Sequence, residues 1–259
     1  MKSRLFFANI LLISTLDIMY ADTFIDTVEG YVRSGVQITD IKHDDTYTDI
    51  ALGGKLHIDT KAFYGINAGV SIYTTNALGK QEGNGIPFFD AANHSYTILG
   101  EAYLKGKWEN TTLVIGRQEI DTPFADTDDI GMIPNTFEAA MLVSQITEDT
   151  TMTLGHLHKM AGVDAPTPSE FTRINNDQGA QLLGVSYEGI SNLILSAWDY
   201  RLNRYETDNI AYFEANYENK YNDLTYGLNL QYALQNAQTP GADNADIYGI
   251  DASVGFENT

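Results

Sequence analysis

The sequence predicts an all-β protein, folded as an antiparallel up-and-down transmembrane β-barrel of which about twelve strands are present. Three observations carry this prediction. Apolar and polar residues alternate with period two through most of the chain, as in strands with one apolar face. Each alternating run is about ten residues, the length that a tilted strand needs to cross a bilayer. Long connections alternate with short ones, as they do in outer-membrane barrels.

The alternation is clearest after Asp223, where Leu228, Leu230 and Tyr232 share one face and Asn229 and Gln231 share the other. The runs near 111–118, 150–160 and 191–202 do not phase cleanly. A bulge would explain each of these three, and their lumen and lipid faces stay open. Strands are predicted near residues 28–38, 49–59, 63–74, 96–107, 111–118, 137–146, 150–160, 180–188, 191–202, 209–218, 224–235 and 246–257.

The connections between these strands sort into two groups by length. A barrel with short turns at one rim and long loops at the other gives this regularity, whereas a soluble β domain has no reason to gather its long loops at one end. The connection 203–208 is the short exception on the long side. The long connections are 39–48, 75–95, 119–136, 161–179 and 236–245, and the short ones are 60–62, 108–110, 147–149, 189–190 and 219–223.

The amino terminus has the features of a secretory signal peptide. Lys2 and Arg4 form a basic head, an apolar run of about a dozen residues follows, and Ala21 precedes Asp22 as a cleavage point. The apolar run is shorter than the roughly 20 residues of a spanning helix. We therefore expect a signal peptide at 1–21 and a single β-barrel domain at 22–259.

The composition excludes several classes of function. The chain has no cysteine, which excludes a disulfide framework, a thiolate metal site and a cysteine nucleophile. It carries 15 basic and 35 acidic residues, a formal net charge of −20. A field of this sign repels nucleic acid and attracts cations.

No arrangement of residues predicts catalysis, so we do not expect an enzyme. There is no glycine-rich phosphate loop and no nucleophile elbow. His156 and His158 lie two apart on one strand, but a metal site needs further ligands. The run from Asp126 to Gly131 resembles the start of a calcium loop and fails at Ile130 and Phe137, where oxygen ligands are required. We expect no metal centre and no cofactor, although a loosely bound divalent cation among these carboxylates stays open.

The segment GRQEIDTPFADTDDIGMIPNTFEA at 116–139 resembles the signature of the OprD-type porins and their major-outer-membrane-protein relatives. LGEAYL at 99–104 and YTTNALG at 73–79 are similar to the same family pattern. The resemblance implies a single-chain barrel of 16 to 18 strands, so that the domain at 22–259 is an incomplete porin domain. It also implies that the loop 119–136 folds inward and narrows the pore.

The resemblance and the strand faces together give two sets of candidate residues. Acidic rings at the narrowest point of a pore favour cations, and acids outnumber basic residues on the faces assigned to the lumen. The constriction would be formed by Arg117, Asp121, Asp126, Asp128, Asp129 and Glu138. The lumen would be lined by Glu29, Arg33, Lys55, Glu101, Lys105 and Glu214.

The expected function is passive diffusion of ions and small polar solutes, with a preference for cations, across the outer membrane of a Gram-negative bacterium. The expected partners are outer-membrane lipid, lipopolysaccharide bridged through divalent cations to the loop acids Asp44, Asp45 and Asp49, and two further copies in a homotrimer. Nucleic acid is not among them. Two alternatives stay open: a barrel enzyme or adhesin, and a soluble secreted β protein.

Overall fold

The computed structural model describes residues 6–10, 24–40, 46–83, 86–202, 207–238, 241 and 243–256. All the regular structure in this part of the chain is β-strand. The strands are Phe6–Ile10 (β1), Ile25–Asp40 (β2), Thr46–Thr60 (β3), Ile66–Gln81 (β4), Tyr96–Trp108 (β5), Thr111–Gln118 (β6), Thr136–Thr147 (β7), Thr150–Ala161 (β8), Thr172–Arg173 (β9), Ala180–Ile190 (β10), Leu193–Arg201 (β11), Thr207–Tyr221 (β12), Leu224–Ala237 (β13) and Ala245–Phe256 (β14).

The strands form one antiparallel sheet in which hydrogen-bonded neighbours follow chain order from β1 to β14, except that the two-residue β9 pairs only with β8. Each of the twelve predicted strands corresponds to one observed strand. The observed strands are often longer, since β2 and β4 have 16 residues each. Within the described residues, no helix is long and apolar enough to cross a membrane.

Five residues of the predicted signal peptide, Phe6–Ile10, form β1, which pairs with β2 from Ser34 to Ile38. The rest of 1–21 lies outside the described residues. The signal peptide and the domain boundary at 22 therefore stay predictions.

Contacts divide the chain into two compact units. The first comprises Met1–Gly106, Val114–Ala139 and Lys159–Arg173, and the second comprises Lys107–Leu113, Ala140–His158 and Ile174–Thr259.

In the first unit, large apolar side chains are exposed and polar side chains are buried, which is the reverse of a soluble sheet. Leu56 and Ile72 are 50% and 49% exposed, whereas Ser71 is fully buried and Glu101 is 6% exposed. An apolar face turned outward and a polar face turned inward suit a strand whose outer surroundings are lipid. The alternative of a soluble secreted β protein is therefore wrong.

A bulge in β5 changes which residues of that strand lie on the buried face. Ser71 of β4 pairs with Glu101, and the next residue, Ile72, pairs with Leu99, so Gly100 is the extra residue of a β-bulge. The bulge places both Ile98 and Glu101 on the buried face, where they are 7% and 6% exposed.

In the second unit, the register shows the same two faces. One cross-strand row consists of Met152, Val185, Ala197, Phe213, Tyr232 and Tyr248. The next row consists of Thr150, Tyr187, Leu195, Ala215, Leu230 and Ile250. These rows are almost entirely apolar or aromatic and form the outward band of the unit.

The register also assigns the faces of two strands that the sequence left open. The ladder between β8 and β10 runs without a shift over Thr150–Leu157, and the ladder between β11 and β12 runs without a shift over Leu193–Arg201. The ladder between β10 and β11 shifts between Tyr187 and Ile190, where β10 carries the extra residue. Leu195 lies on the apolar face, while Trp198 and Tyr200 lie on the other face and stack at a centroid distance of 6.2 Å.

Candidate functional site

A buried polar network crosses β3, β4 and β5 in the first unit. The register aligns His57 with Ser71 and Ser71 with Glu101. Nδ1 of His57 lies 2.6 Å from Oγ of Ser71, and Nε2 lies 3.0 Å from Oδ2 of Asp59. The Ser71 hydroxyl donates to the Glu101 carboxylate. Each buried polar group of this row is thus satisfied by a cross-strand neighbour, which removes the cost of burying it.

Lys55 extends this network toward the loop that follows β6. Its Nζ lies 2.9 Å from Oε2 of Glu101 and 3.1 Å from Oε1 of Glu119. It also sits 5.2 Å from the ring centroid of Tyr73, whose hydroxyl lies 3.1 Å from Glu101 and 2.5 Å from Glu119. One ammonium therefore joins the strand carboxylate to the first acid of the loop.

The loop between β6 and β7 is fixed to the polar face of β2 by Arg33. Nη1 and Nη2 of Arg33 donate to the two carboxylate oxygens of Asp129 at 2.6 and 3.0 Å, and Nη1 donates to the carbonyl of Gly131 at 3.0 Å. The guanidinium also lies 4.4 Å from the ring centroid of Tyr31. A bidentate pair fixes the orientation as well as the position of the loop.

An apolar cluster fixes the same loop a few residues later. Met132 and Ile133 are 2% and 1% exposed and belong to a core with Phe88 and Tyr73. A Cβ on Gly53 would lie 3.1 Å from the Met132 methyl carbon, so the glycine provides the space that the loop occupies. The loop therefore packs on the polar face of β3.

The loop that follows β4 reaches the same face. The Phe88 ring covers Gly35, where a Cβ would lie 2.6 Å from the ring. The Phe88 carbonyl accepts a 2.8 Å hydrogen bond from the buried Thr75 hydroxyl. Two loops therefore share one apolar core on the polar face of the first unit.

The four loop acids predicted at the constriction occupy different surroundings. Asp129 is paired with Arg33, while Asp121 and Asp126 are exposed. Asp128 has a φ of 35°, a conformation that Asn and Asp tolerate better than other side chains. Its pKa is raised by burial and then by the nearby carboxylates of Asp164 and Asp126.

Arg117 and Glu138 meet beside the loop that follows β8. Nε of Arg117 lies 3.8 Å from Glu138 and Nζ of Lys159 lies 3.0 Å from it. The Arg117 guanidinium is 4.2 Å from the ring centroid of Phe171 and donates to the Leu99 carbonyl at 3.3 Å. Arg117, Lys159 and Phe171 line a cavity of 380 Å³ together with Glu170, so two cations, one acid and an aromatic ring face a single space.

The remaining predicted lumen residues lie along the strands. Glu29 is exposed and in register with His57, and Lys105 is in register with Asn67. In the second unit, Glu214 accepts hydrogen bonds from Asn229 at 2.7 Å and Gln231 at 3.2 Å.

One expectation about cations changes. Asp49, expected to bridge lipopolysaccharide, is 3% exposed and accepts a 2.9 Å hydrogen bond from the Gly83 amide. It cannot face lipid phosphates because it is buried, so that expectation is wrong for Asp49. Asp44 and Asp45 lie outside the described residues. In the part of the chain that the structure describes, no group of three or more His, Cys, Asp or Glu side chains could hold a metal ion.

Sequence reasoning missed Glu119 and the His57, Ser71 and Tyr73 side chains of the network. Glu119 stands inside the segment that carries the family resemblance, which could have singled it out. The other three are uncharged or weakly basic, and period-two alternation gives only their face.

The comparisons with known proteins agree with this architecture. The outer membrane porin OprD family matches residues 46–251, and no curated protein matches the chain at a significant level. The crystal structure of Pseudomonas aeruginosa OpdK with vanillate is 16% identical, with a TM-score of 0.72 over 91% of this chain and 65% of that one. Pseudomonas aeruginosa OccK2 (OpdF) in complex with glucuronate is 14% identical, with a TM-score of 0.69 over 91% and 63%.

Acinetobacter baumannii OccAB1 is 18% identical, with a TM-score of 0.69 over 88% of this chain and 62% of that one. At these identities the likeness shows the fold, and it confirms the predicted barrel class. The chain spans less than two thirds of the length of each of these structures.

Proposed function

Since the chain belongs to the OprD family of outer membrane porins, we propose that it forms part of the wall of a channel through which ions and small polar solutes diffuse passively. The family places it in the outer membrane of a Gram-negative bacterium. The observation that carries the proposal is the reversed burial of β3–β5, where leucine and isoleucine face outward and charged residues face inward. A pore wall needs a polar face toward water and an apolar face toward lipid.

The loop 119–136 is the proposed constriction. The support is its double attachment to the polar face, through Arg33 and through the core around Met132. A loop held on that face narrows whatever passage the face borders.

Cation preference is the second part of the proposal. Among the predicted pore cations, Arg33 and Lys55 are paired with loop or strand acids and Arg117 contacts Glu138, whereas Asp121, Asp126 and Glu29 are exposed. The charge that a passing ion meets is therefore negative, and a negative ring favours cations. The overall charge of −20 acts in the same direction over a longer range.

We propose no catalytic activity. His57, Ser71 and Asp59 bring an imidazole, a hydroxyl and a carboxylate together, which are the groups of a serine hydrolase. Ser71 is fully buried, however, and its hydroxyl already donates to Glu101. A nucleophile must reach a substrate carbonyl, and this hydroxyl has neither access nor a free proton.

Uptake of small carboxylates is a second candidate function. The observation that favours it is the cavity at Arg117, Lys159 and Phe171, since guanidinium and ammonium bind carboxylates and a ring packs against an apolar body. Related structures hold vanillate and glucuronate, both carboxylates. Reversible blocking of the current by vanillate, lost in Arg117→Gln, would favour this candidate, whereas unchanged current at every vanillate concentration would exclude it.

Vesicle swelling tests the channel itself. Vesicles containing the full-length folded protein are placed in isosmotic potassium chloride, a pentose or a large dextran. The proposal expects swelling in the salt and in the pentose and none in the dextran. Folded protein that gives no swelling in any solute contradicts it.

A further inference from the structure

A polar cross-strand row lies on the outward, apolar face of the second unit. The register places His156, Gln181, Arg201, Asn209 and Asn236 side by side on five neighbouring strands. Two residues further along the strands, the row of Leu154, Leu183, Asp199, Ala211 and Leu234 is largely apolar. The polar row therefore marks one boundary of the apolar band.

This boundary belongs to the end of the strands where the longer connections lie. β8 continues beyond His156 into the 162–179 connection, and β11 ends at Arg201, before the connection to β12. The opposite ends are joined by the turns at 148–149, 191–192 and 222–223. In outer-membrane barrels the long connections face the cell exterior, so the row lies at the level of the outer-leaflet head groups.

A groove of 590 Å³ opens along this row. Its polar end is lined by His156, Gln181, Asp199 and Arg201, and its apolar end by residues that include Leu154 and Leu183. Leu154 and Leu183 are 40% and 43% exposed. The groove thus changes from polar to apolar along the strand direction, as an amphiphile lying along it would require.

At the polar end of the groove, the Asp199 carboxylate binds only part of the Arg201 guanidinium. Asp199 accepts from Nε of Arg201 at 3.0 Å and from Nδ2 of Asn209 at 2.7 Å, so the carboxylate is engaged on both oxygens. The Arg201 side chain is 67% exposed. Within the described residues, the Arg201 guanidinium donates one hydrogen bond, from Nε to Asp199.

We propose that this groove binds a phosphorylated glycolipid of the outer leaflet. The terminal nitrogens of Arg201 contact a phosphate, for which guanidinium has matching fork geometry. His156 and Gln181 contact sugar hydroxyls, and one acyl chain lies over Leu154 and Leu183. A lipid is the occupant because the apolar floor continues directly into the outward band, which faces the hydrocarbon of the membrane.

Native mass spectrometry of the full-length protein tests the proposal. The protein is refolded into phosphatidylcholine vesicles containing diphosphorylated lipid A, extracted in mild detergent, and the bound lipid A is counted. Loss of a charge-assisted contact in Arg201→Gln should lower retention by about tenfold or more. Arg201→Lys should retain an intermediate amount, because the charge remains and the fork is lost.

Lys107→Ala is the matched control, an exposed cation near the short-turn end of β5, and should retain lipid A as the wild type does. Heat-dependent gel mobility verifies that every variant is folded. Equal retention in Arg201→Gln and wild type overturns the proposal. So does an equal loss in Lys107→Ala, which would mean general charge attraction, or complete displacement by excess inorganic phosphate, which would mean a free-phosphate site.

Discussion

Asp129 accepts two hydrogen bonds from the guanidinium of Arg33, at 2.6 and 3.0 Å, across 96 residues of sequence. The pair joins the loop after β6 to the polar face of β2. The loop is therefore attached at its middle, as well as by the core that surrounds Met132. We expect the width of the proposed pore to depend on both attachments.

Breaking the pair should release the middle of the loop. We expect Asp129→Asn to raise single-channel conductance and to increase open-channel current noise. The loss of unfolding free energy should be only about 1 kcal/mol, because Asp129 is 45% exposed and solvent screens the pair. Asp126→Asn removes the same charge from the same loop without touching Arg33, so it is the control for a pure charge effect. Equal conductance changes in both variants would contradict the attachment.

Removing one partner of the Lys55–Glu101 pair should destabilise the sheet more than removing both partners. Glu101→Leu removes the acceptor that the buried Lys55 ammonium shares with the His57 imidazole, and leaves Lys55 with the partly exposed Glu119 as its carboxylate partner. We expect a loss of about 3 kcal/mol in unfolding free energy, measured by urea titration of heat-dependent gel mobility. The double variant Lys55→Met with Glu101→Leu should recover most of that loss, because the buried ammonium is removed with the buried carboxylate and Glu119, which then loses its contact with Lys55, is 36% exposed. A double variant as unstable as the single one would show that packing, and not charge, explains the loss.

The pH dependence of selectivity should include Asp128. The pKa of Asp128 is raised by burial and by the carboxylates of Asp164 and Asp126. At a pH between the ordinary aspartate pKa of about 4 and this raised pKa, the folded protein binds more protons than the unfolded chain. The stability contribution of this group is thus lost as pH rises through that window, and its negative charge appears there. As the pH is lowered, the cation preference of the wild type should begin to fall at a higher pH than that of Asp164→Asn. Reversal potentials at a series of pH values measure this difference. Identical profiles would contradict this coupling.

A charged residue introduced on the outward face should destabilise the protein in a membrane. Leu56 is 50% exposed, and an arginine there would be harmless on a soluble protein. In a lipid-facing position, Leu56→Arg should lower the unfolding free energy in vesicles by about 2 to 4 kcal/mol. Phe63→Arg is the control, since Phe63 is 75% exposed in the short connection between β3 and β4. An equally small effect at both positions would mean that β3 does not face lipid.

The sequence predicted the strand faces wherever one face is uniformly apolar. In β13, Leu228 and Leu230 alternate with Asn229 and Gln231, so the pattern alone shows which residues lie on the apolar face. In β11, Leu195 on one face alternates with Ser196 and Trp198 on the other. Because large apolar residues occur on both faces there, the alternation is hidden and only the ladder reveals it.

The candidate site was predictable in composition but not in pairing. The alternation assigns Glu101, Lys55 and Arg33 to one face, and the register places the three on the same face of the sheet; their role in lining a lumen stays a prediction. The contact of Lys55 with Glu119 spans 64 residues and that of Arg33 with Asp129 spans 96. Contacts of this kind depend on how the loop folds back, which no local pattern encodes. The bulge at Gly100 is equally hidden, since one extra residue shifts the phase without a distinct signal.

The reversal potential of single channels of the full-length protein, in a planar bilayer across a potassium chloride gradient, tests the cation-selective channel most directly. We expect discrete conductance steps, a reversal potential of the sign that indicates cation selectivity, and a shift of that potential toward zero in the double variant Asp121→Asn with Asp126→Asn. An anion-selective reversal potential would contradict the acidic constriction. Folded, inserted protein that conducts no current would contradict the channel.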